Sequence, residues 1–186
     1  PEPNRPDPNE AVIDPSTQVD ISPPSAPHFV ELVANTVDRF GDRPLIEAHD
    51  RMTELSYAQA WAWAGSAAES LRRAGAAPGQ RLVVRTPKSI GSLIAYLAAL
   101  RLGAVWVPVA PQATPSEVNY VLEDASPTLV IDGVGAVDDL VGSGPCADEH
   151  HPPAVGLDEL DGDRPCAMLY TSGTTGRPKG VPITGA

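Results

Sequence analysis

The sequence has little cysteine, and it lacks any apolar run long enough to cross a membrane. Its two cysteines, Cys146 and Cys166, have a spacing that fits neither a metal site nor a disulfide framework. We therefore expect free thiols, with Cys166 buried as a small apolar side chain at the start of an apolar run. No run reaches the roughly 18 apolar residues of a membrane span, and no charged-then-apolar leader is visible. A cytoplasmic protein is the expectation.

Basic residues are also scarce. The chain has 13 Lys and Arg against 24 Asp and Glu, which gives a formal net charge of −11. The acids are concentrated in residues 1–25 and 132–163, and the second of these segments contains no Lys or Arg. We interpret the acidity as a contribution to solubility. It argues against nucleic acid as a partner, because nucleic acid selects basic surfaces.

The length of 186 residues suggests one domain with a substantial core. Residues 1–25 are rich in proline and lack periodic apolar positions, so they are predicted to form a disordered arm. The folded domain is predicted to occupy residues 26–186. Within it, residues 132–163 lose the pattern, and their adjacent His150 and His151 lack the spacing and cysteine partners of a metal site. A solvated loop without a metal is expected there.

Helical and strand patterns alternate through the rest of the chain. Apolar spacing and breakers predict helices over residues 29–40, 57–74, 90–102 and 115–125, a short helix at 137–141, and strands over 45–48, 52–55, 81–85, 104–109, 129–131 and 166–170. Capping boxes at Ser56 with Gln59 and at Thr114 with Glu117 mark two of the helix starts. The regular alternation predicts a parallel α/β sheet flanked by helices.

The most informative stretch is residues 170–180, with the sequence YTSGTTGRPKG. Its glycines permit tight turns, its free N–H groups suit an anion nest, and Arg177 and Lys179 add positive charge. A polyphosphate is the ligand that this chemistry fits, although the composition by itself is commoner in flexible turns. The stretch is not a Walker loop, because Lys179 is followed by Gly180 and no helix-forming run follows.

The string at residues 170–180 closely resembles the phosphate-loop signature of the adenylate-forming superfamily. That superfamily includes acyl-CoA synthetases, adenylation domains of peptide synthetases and luciferases. Residues 55–57 and 100–109 resemble two earlier motifs of the same superfamily in the same order. The resemblance implies a mostly parallel α/β fold, the first subdomain of the large N-terminal domain of such an enzyme. Residues 87–89 and 114–127 look more like malonyl-CoA-synthetase-type and other acyl-CoA synthetases than like amino-acid-activating domains.

The resemblance implies part of an ATP-dependent acid–thiol ligase. In that family a carboxylate attacks the α-phosphorus of Mg-ATP, giving an acyl-adenylate and pyrophosphate, and a thiol of CoA or of a carrier protein then takes the acyl group. ATP, Mg²⁺ and CoA are therefore the implied cofactors and co-substrates. The residues implied to hold the β- and γ-phosphates are Thr171, Ser172, Gly173, Thr174, Thr175, Gly176 and Lys179. For Arg177, two roles are equally compatible with the sequence: a solvated cation and a contact to phosphate.

Family segments for adenine, ribose, the metal-binding acid and the catalytic lysine have no counterpart up to residue 186. We therefore expect a truncated domain with no catalytic residue, no metal ligand and no completed reaction. We also expect an exposed apolar surface that favours self-association. Two alternatives stay open: an adenylation domain that loads a carrier protein, and a non-catalytic nucleotide-binding module. A Rossmann oxidoreductase is disfavoured, because no G-x-G-x-x-G follows an early strand.

Overall fold

A computed structural model describes residues 29–48, 53–144, 163–171 and 178–185. The helices and strands of these residues are, in chain order, α1 (Phe29–Phe40), β1 (Pro44–Ala48), β2 (Thr53–Ser56), α2 (Tyr57–Arg73), β3 (Arg81–Arg85), α3 (Ile90–Leu102), β4 (Val105–Val109), α4 (Pro115–Ala125), β5 (Leu129–Asp132), α5 (Gly133–Val141), β6 (Pro165–Thr171) and β7 (Lys179–Thr184). None of the described helices combines the length and the apolar character needed to cross a membrane.

The larger of the two described sheets has five strands in the order β5-β3-β4-β6-β7. Strands β3, β4, β5 and β6 run parallel, and β7 runs antiparallel to β6 at the edge. This arrangement confirms the predicted mostly parallel α/β fold. The sequence did not predict β7, which contains Pro182; proline is compatible with an edge strand, where its missing N–H leaves no ladder bond unmade. Strands β1 and β2 form a separate antiparallel pair.

Helices cover both faces of the parallel strands. Leu82 and Val84 of β3 belong to a core that includes buried residues of α2, α3 and α5. Val83 points to the opposite face and joins a second core with Val121 of α4. Because successive side chains of a strand alternate between its faces, β3 contributes to both cores. This double burial explains the continuous apolar run of β3.

Both predicted capping boxes are present. Ser56 Oγ accepts a hydrogen bond from the Gln59 amide at 3.2 Å, and Gln59 Oε1 accepts one from the Ser56 amide at 2.9 Å. At the start of α4, Thr114 Oγ1 accepts a hydrogen bond from the Glu117 amide at 3.3 Å, and Glu117 Oε2 accepts one from the Thr114 amide at 2.7 Å. These bonds satisfy amide groups that have no partner within the first helical turn. The start of α4 is consequently fixed in place.

Two local predictions need correction. Helix α5 spans Gly133–Val141, whereas only residues 137–141 were predicted to be helical. Its two early glycines hid the pattern, but Val137 is fully buried in the core formed with α2 and α3. Cys166 is half-buried rather than buried, and its thiol donates a hydrogen bond to the Thr184 carbonyl at 3.6 Å. Cys146 and the histidine pair at 150–151 lie outside the described residues.

A buried arginine ties α3 to α2. The side chain of Arg101 is among the core residues, with 6% of its surface exposed. Its Cζ atom lies 4.4 Å from the centroid of the Trp61 ring, and its Nη1 donates to the Trp61 carbonyl at 3.1 Å. Burial lowers the pKa of Arg101 to about 10, which still leaves the guanidinium charged at neutral pH. The neighbouring Trp63 instead donates its Nε1–H to the Val141 carbonyl at 2.6 Å.

An apolar surface is exposed at the β6–β7 edge of the sheet. Leu169, Val181 and Ile183 are each more than 40% exposed. Leu169 pairs with Val181 and Ala167 pairs with Ile183, so these side chains share one face of the sheet. The exposed apolar surface expected from the sequence is therefore present. Self-association through it stays a prediction.

Candidate functional site

The carboxyl ends of the parallel strands meet at one edge of the sheet. Arg85 at the end of β3 is aligned with Val109 of β4 and with Asp132 of β5. Strand β6 runs parallel to β4 and ends at Thr171, where the glycine-rich segment begins. Open α/β sheets bind their ligands outside this edge. The predicted phosphate-binding segment therefore starts where a ligand site is expected.

Strands β6 and β7 flank the glycine-rich segment as an antiparallel pair. Thr171 is paired with Lys179 and Tyr170 with Gly180; we call residues 169–171 and 178–180 the hairpin stem. Thr171 and Lys179, two of the predicted phosphate-binding residues, thus lie directly opposite one another, and both are exposed. The other predicted residues lie outside the described part of the chain: Ser172, Gly173, Thr174, Thr175 and Gly176, together with Arg177.

Gly180 allows a close contact inside the stem. A Cβ atom at this position would lie 3.0 Å from Met168 Sδ and 3.2 Å from Tyr170 Cζ. Both distances are shorter than ordinary van der Waals contacts, so a larger residue would push the Tyr170 ring aside. The glycine after Lys179 therefore makes room for Tyr170 against β7.

Helix α4 is hydrogen-bonded to both strands of the stem. The Tyr120 hydroxyl donates to the Pro178 carbonyl at 2.7 Å. The Tyr170 hydroxyl donates to Asp124 Oδ2 at 2.6 Å. The Tyr120 and Tyr170 rings meet edge to face, with centroids 6.3 Å apart. One helix thus contacts β6 through the Tyr170 side chain and, through the Pro178 carbonyl, the residue just before β7.

The Tyr170 hydroxyl is held in its protonated form. Partial burial, followed by the hydrogen bond to the Asp124 carboxylate, raises the pKa of Tyr170 well above its usual value. Tyr170 is therefore a hydrogen-bond donor at neutral pH. Sequence reasoning did not single out Tyr120 or Asp124. The available signal was their spacing of four residues, which places them on one side of a helix.

A cavity of about 440 Å³ lies beside the stem, between α4 and the end of β4. The side chain of Glu117 lines it, but this carboxylate accepts hydrogen bonds from the Thr114 amide and hydroxyl. Those two bonds lower the pKa of Glu117. Glu117 is therefore committed to the helix cap. The described residues contain no group of three or more His, Cys, Asp or Glu arranged to hold a metal ion.

An ion pair joins two strand ends at the same edge. Arg85 Nε and Nη2 donate to the two carboxylate oxygens of Asp132 at 2.8 and 2.6 Å. The hydrogen bond from Arg85, aided by its charge, lowers the pKa of Asp132. The pair is bidentate, a geometry that favours a fixed orientation of both side chains. It links the side chains at the ends of β3 and β5, where the edge faces solvent.

Asp132→Asn is expected to change how stability depends on pH. The pKa of Asp132 in the folded protein lies below its value in the unfolded chain, which is about 4. The ionised carboxylate therefore stabilises the fold at any pH above that unfolded pKa. The contribution is lost as the pH falls through the lowered folded pKa. The stability difference between wild type and Asp132→Asn should therefore shrink on acidification, which urea unfolding at a series of pH values measures. A stability difference that stays constant as the pH falls to the range of acid unfolding would contradict this role of the Asp132 carboxylate.

The comparisons with known proteins agree with this fold. The family model described as "AMP-binding enzyme" matches residues 33–186. CymA of Salinispora arenicola, described as a probable non-canonical nonribosomal peptide synthetase, is 34% identical over 156 residues, which are 84% of this chain and 2% of CymA. The long-chain-fatty-acid–CoA ligase FadD13 of Mycobacterium tuberculosis is 33% identical over 148 residues, which are 68% of this chain and 29% of FadD13.

A solved structure shows the same architecture. The inhibitor-bound N-terminal domain of FACL13 from Mycobacterium tuberculosis matches with a TM-score of 0.73 and 27% identity, over 86% of this chain and 44% of that domain. The structure thus defines the class of protein: an α/β domain with this strand order and with a β-hairpin at the carboxyl edge of its sheet. The chain belongs to the AMP-binding enzyme family, whose members are adenylate-forming enzymes. It spans less than half the length of each of these proteins.

Proposed function

We propose that this chain is the phosphate-binding part of an enzyme that activates a carboxylic acid with ATP. The observation that supports this most is the pairing of Thr171 with Lys179 at the carboxyl edge of the sheet. In the proposal, Thr171, the segment 172–176 and Lys179 hold the β- and γ-phosphates. The Lys179 charge offsets negative charge on the departing pyrophosphate, which is where electrostatic stabilisation accelerates such a reaction.

The proposed acceptor of the acyl group is CoA. Residues 87–89 and 114–127 support it, because they look more like acyl-CoA synthetases than like amino-acid-activating domains. The relatives include both a CoA ligase and a peptide synthetase at similar identity, so overall similarity does not distinguish the two acceptors. The alternative is an adenylation domain that loads a carrier protein. With CoA as the acceptor, we also propose that the enzyme acts in fatty acid metabolism in the cytoplasm.

Mg²⁺ is proposed to arrive with the ATP phosphates rather than on acids of the described residues. Glu117 is held in its helix cap, and Asp132 is paired with Arg85. Neither carboxylate is free to become a ligand without breaking those bonds. The part played by this chain is thus to bind and orient the outer phosphates, with the metal serving to neutralise their charge.

Acid-dependent exchange of labelled pyrophosphate into ATP tests the proposed activity. We expect no exchange from residues 1–186 alone. We expect exchange from a longer protein that contains this chain, and transfer of the acyl group to CoA rather than to a carrier protein. Exchange by the 186 residues alone would overturn the proposed inactivity. ATP binding by the longer protein without exchange, across short, long and amino-substituted acids, would instead favour the non-catalytic nucleotide-binding module.

A further inference from the structure

We propose that Tyr120 and Asp124 of α4 are positioning residues for the phosphate-binding segment. They hold the two strand ends on either side of residues 172–177 in a fixed relation. The inference rests on the proposed function of the hairpin and deepens it, because it assigns part of the phosphate site to a helix that lies elsewhere in the chain. Neither residue is proposed to touch phosphate.

The contact of Tyr120 controls the peptide group that leads into Lys179. The carbonyl of Pro178 and the amide of Lys179 belong to one planar peptide unit. A hydrogen bond from the Tyr120 hydroxyl to that carbonyl, at 2.7 Å, therefore fixes the plane from which Lys179 continues. The position of the Lys179 ammonium depends on the direction in which its Cα–Cβ bond leaves that plane.

The contact of Asp124 acts on the opposite strand. Its carboxylate accepts the Tyr170 hydroxyl at 2.6 Å, and Tyr170 precedes Thr171, the last residue of β6. A hydrogen bond to a charged acceptor is stronger than one between neutral groups. Since Tyr170 also packs into the core beneath α4, its ring is held by both apolar and polar contacts. The end of β6 is thereby fixed against the helix.

Helix α4 is a rigid support for both contacts. Tyr120 and Asp124 are four residues apart and lie on one side of the helix. The adjacent Val121 and Ala125 are buried against the sheet, with 6% and 0% of their surface exposed. The capping box fixes the first turn of the same helix. Binding sites that rely on preorganised donors need such support, since small displacements weaken every contact to the ligand.

The test uses hydroxyl-deletion variants of the 186-residue chain with a matched control. Tyr120→Phe and Tyr170→Phe each remove one of the two hydrogen bonds and keep the ring. Tyr57→Phe removes a hydroxyl from the first residue of α2, outside the stem and α4. Asp124→Ala removes the acceptor, and Asp124→Asn restores a neutral one. Titration with inorganic pyrophosphate gives the affinity, urea unfolding gives the global stability, and residue-specific amide exchange reports on the stem.

The loss of one hydrogen bond is expected to weaken pyrophosphate binding about fivefold in Tyr120→Phe and in Tyr170→Phe. Asp124→Ala should weaken it about tenfold, Asp124→Asn should recover most of that loss, and Tyr57→Phe should bind as wild type. Amides of the stem should exchange faster in the Tyr120 and Tyr170 variants, whereas those of α3 should not. The change in affinity should exceed any change in global stability.

Two results would overturn the inference. The first is wild-type affinity and wild-type stem exchange in both tyrosine variants. The second is an effect on affinity that is fully matched by a loss of global stability, with no rescue in Asp124→Asn. If the wild-type chain itself fails to bind pyrophosphate, the proposed function of the hairpin fails. In that case, amide exchange of the hairpin stem, measured without ligand, still decides whether α4 positions the two strand ends.

Discussion

Lys179→Ala is expected to weaken the binding of pyrophosphate to this chain about 30-fold, a typical cost of losing a charge-assisted contact. Lys179 is exposed at the first position of β7, directly opposite Thr171. Its ammonium is a compact cation of the kind that proteins use as a point charge for phosphate. Isothermal titration calorimetry at constant ionic strength measures the change, because salt screens exposed charges.

Lys88→Ala provides the matched control. Lys88 is the other lysine of the sequence, is exposed, and lies just after β3 at the same edge of the sheet. Its removal changes the net charge by the same amount, so general electrostatic attraction would weaken binding equally in both variants. We expect Lys88→Ala to bind within about twofold of wild type, as for a charge without direct contact. Equal losses in the two variants would show that the effect is not local to the hairpin.

Arg101→Ala is expected to lower the free energy of unfolding by about 3 kcal/mol. The substitution removes a buried side chain, its contact with the Trp61 ring and its hydrogen bond to the Trp61 carbonyl. The carbonyl then loses a donor in the interior, and the space between α2 and α3 is left unfilled. Urea unfolding followed by tryptophan fluorescence measures the loss, and Trp61 itself reports on the site.

The matched variant is Arg73→Ala, near the end of α2. Arg73 pairs with Glu69 at 3.0 Å, but its side chain is 73% exposed. Exposed ion pairs contribute little to stability, so this variant should unfold close to wild type. Arg101→Lys should fall between the two alanine variants, because it keeps the charge but loses the planar stack. An Arg101→Ala protein as stable as wild type would contradict the role given to this arginine.

Local sequence signals predicted most of the fold, because they act within one element. The Ser56 and Thr114 capping boxes are complete in the sequence, and their bonds form within the first helical turn. The parallel direction of the central strands followed less directly, from the alternation of helices and strands, and their order in the sheet was not predicted. Strand β7 was missed because its pairing with β6 spans the whole glycine-rich segment, and because it lacks the alternation of buried and exposed residues that marks a half-buried strand. Its identity depends on a neighbour, not on its own pattern.

The candidate site was likewise predictable only in part. Thr171 and Lys179 were predicted from a contiguous string, and their pairing across the hairpin is consistent with a shared ligand. The contribution of Tyr120 and Asp124 was not predictable, since it arises where α4 lies beside the stem. In the sequence, these residues are 58 positions from Pro178 and 46 from Tyr170, respectively. Only the packed sheet and helix bring them together.

Competition for labelled ATP tests the central claim most directly, because the hairpin is proposed to hold the β- and γ-phosphates. In equilibrium dialysis with the 186-residue chain, pyrophosphate should displace ATP, AMP should not, and Lys179→Ala should lose the saturable binding. Displacement by AMP as effective as that by pyrophosphate, or ATP binding unchanged in Lys179→Ala, would contradict the assignment of this hairpin to the outer phosphates of ATP.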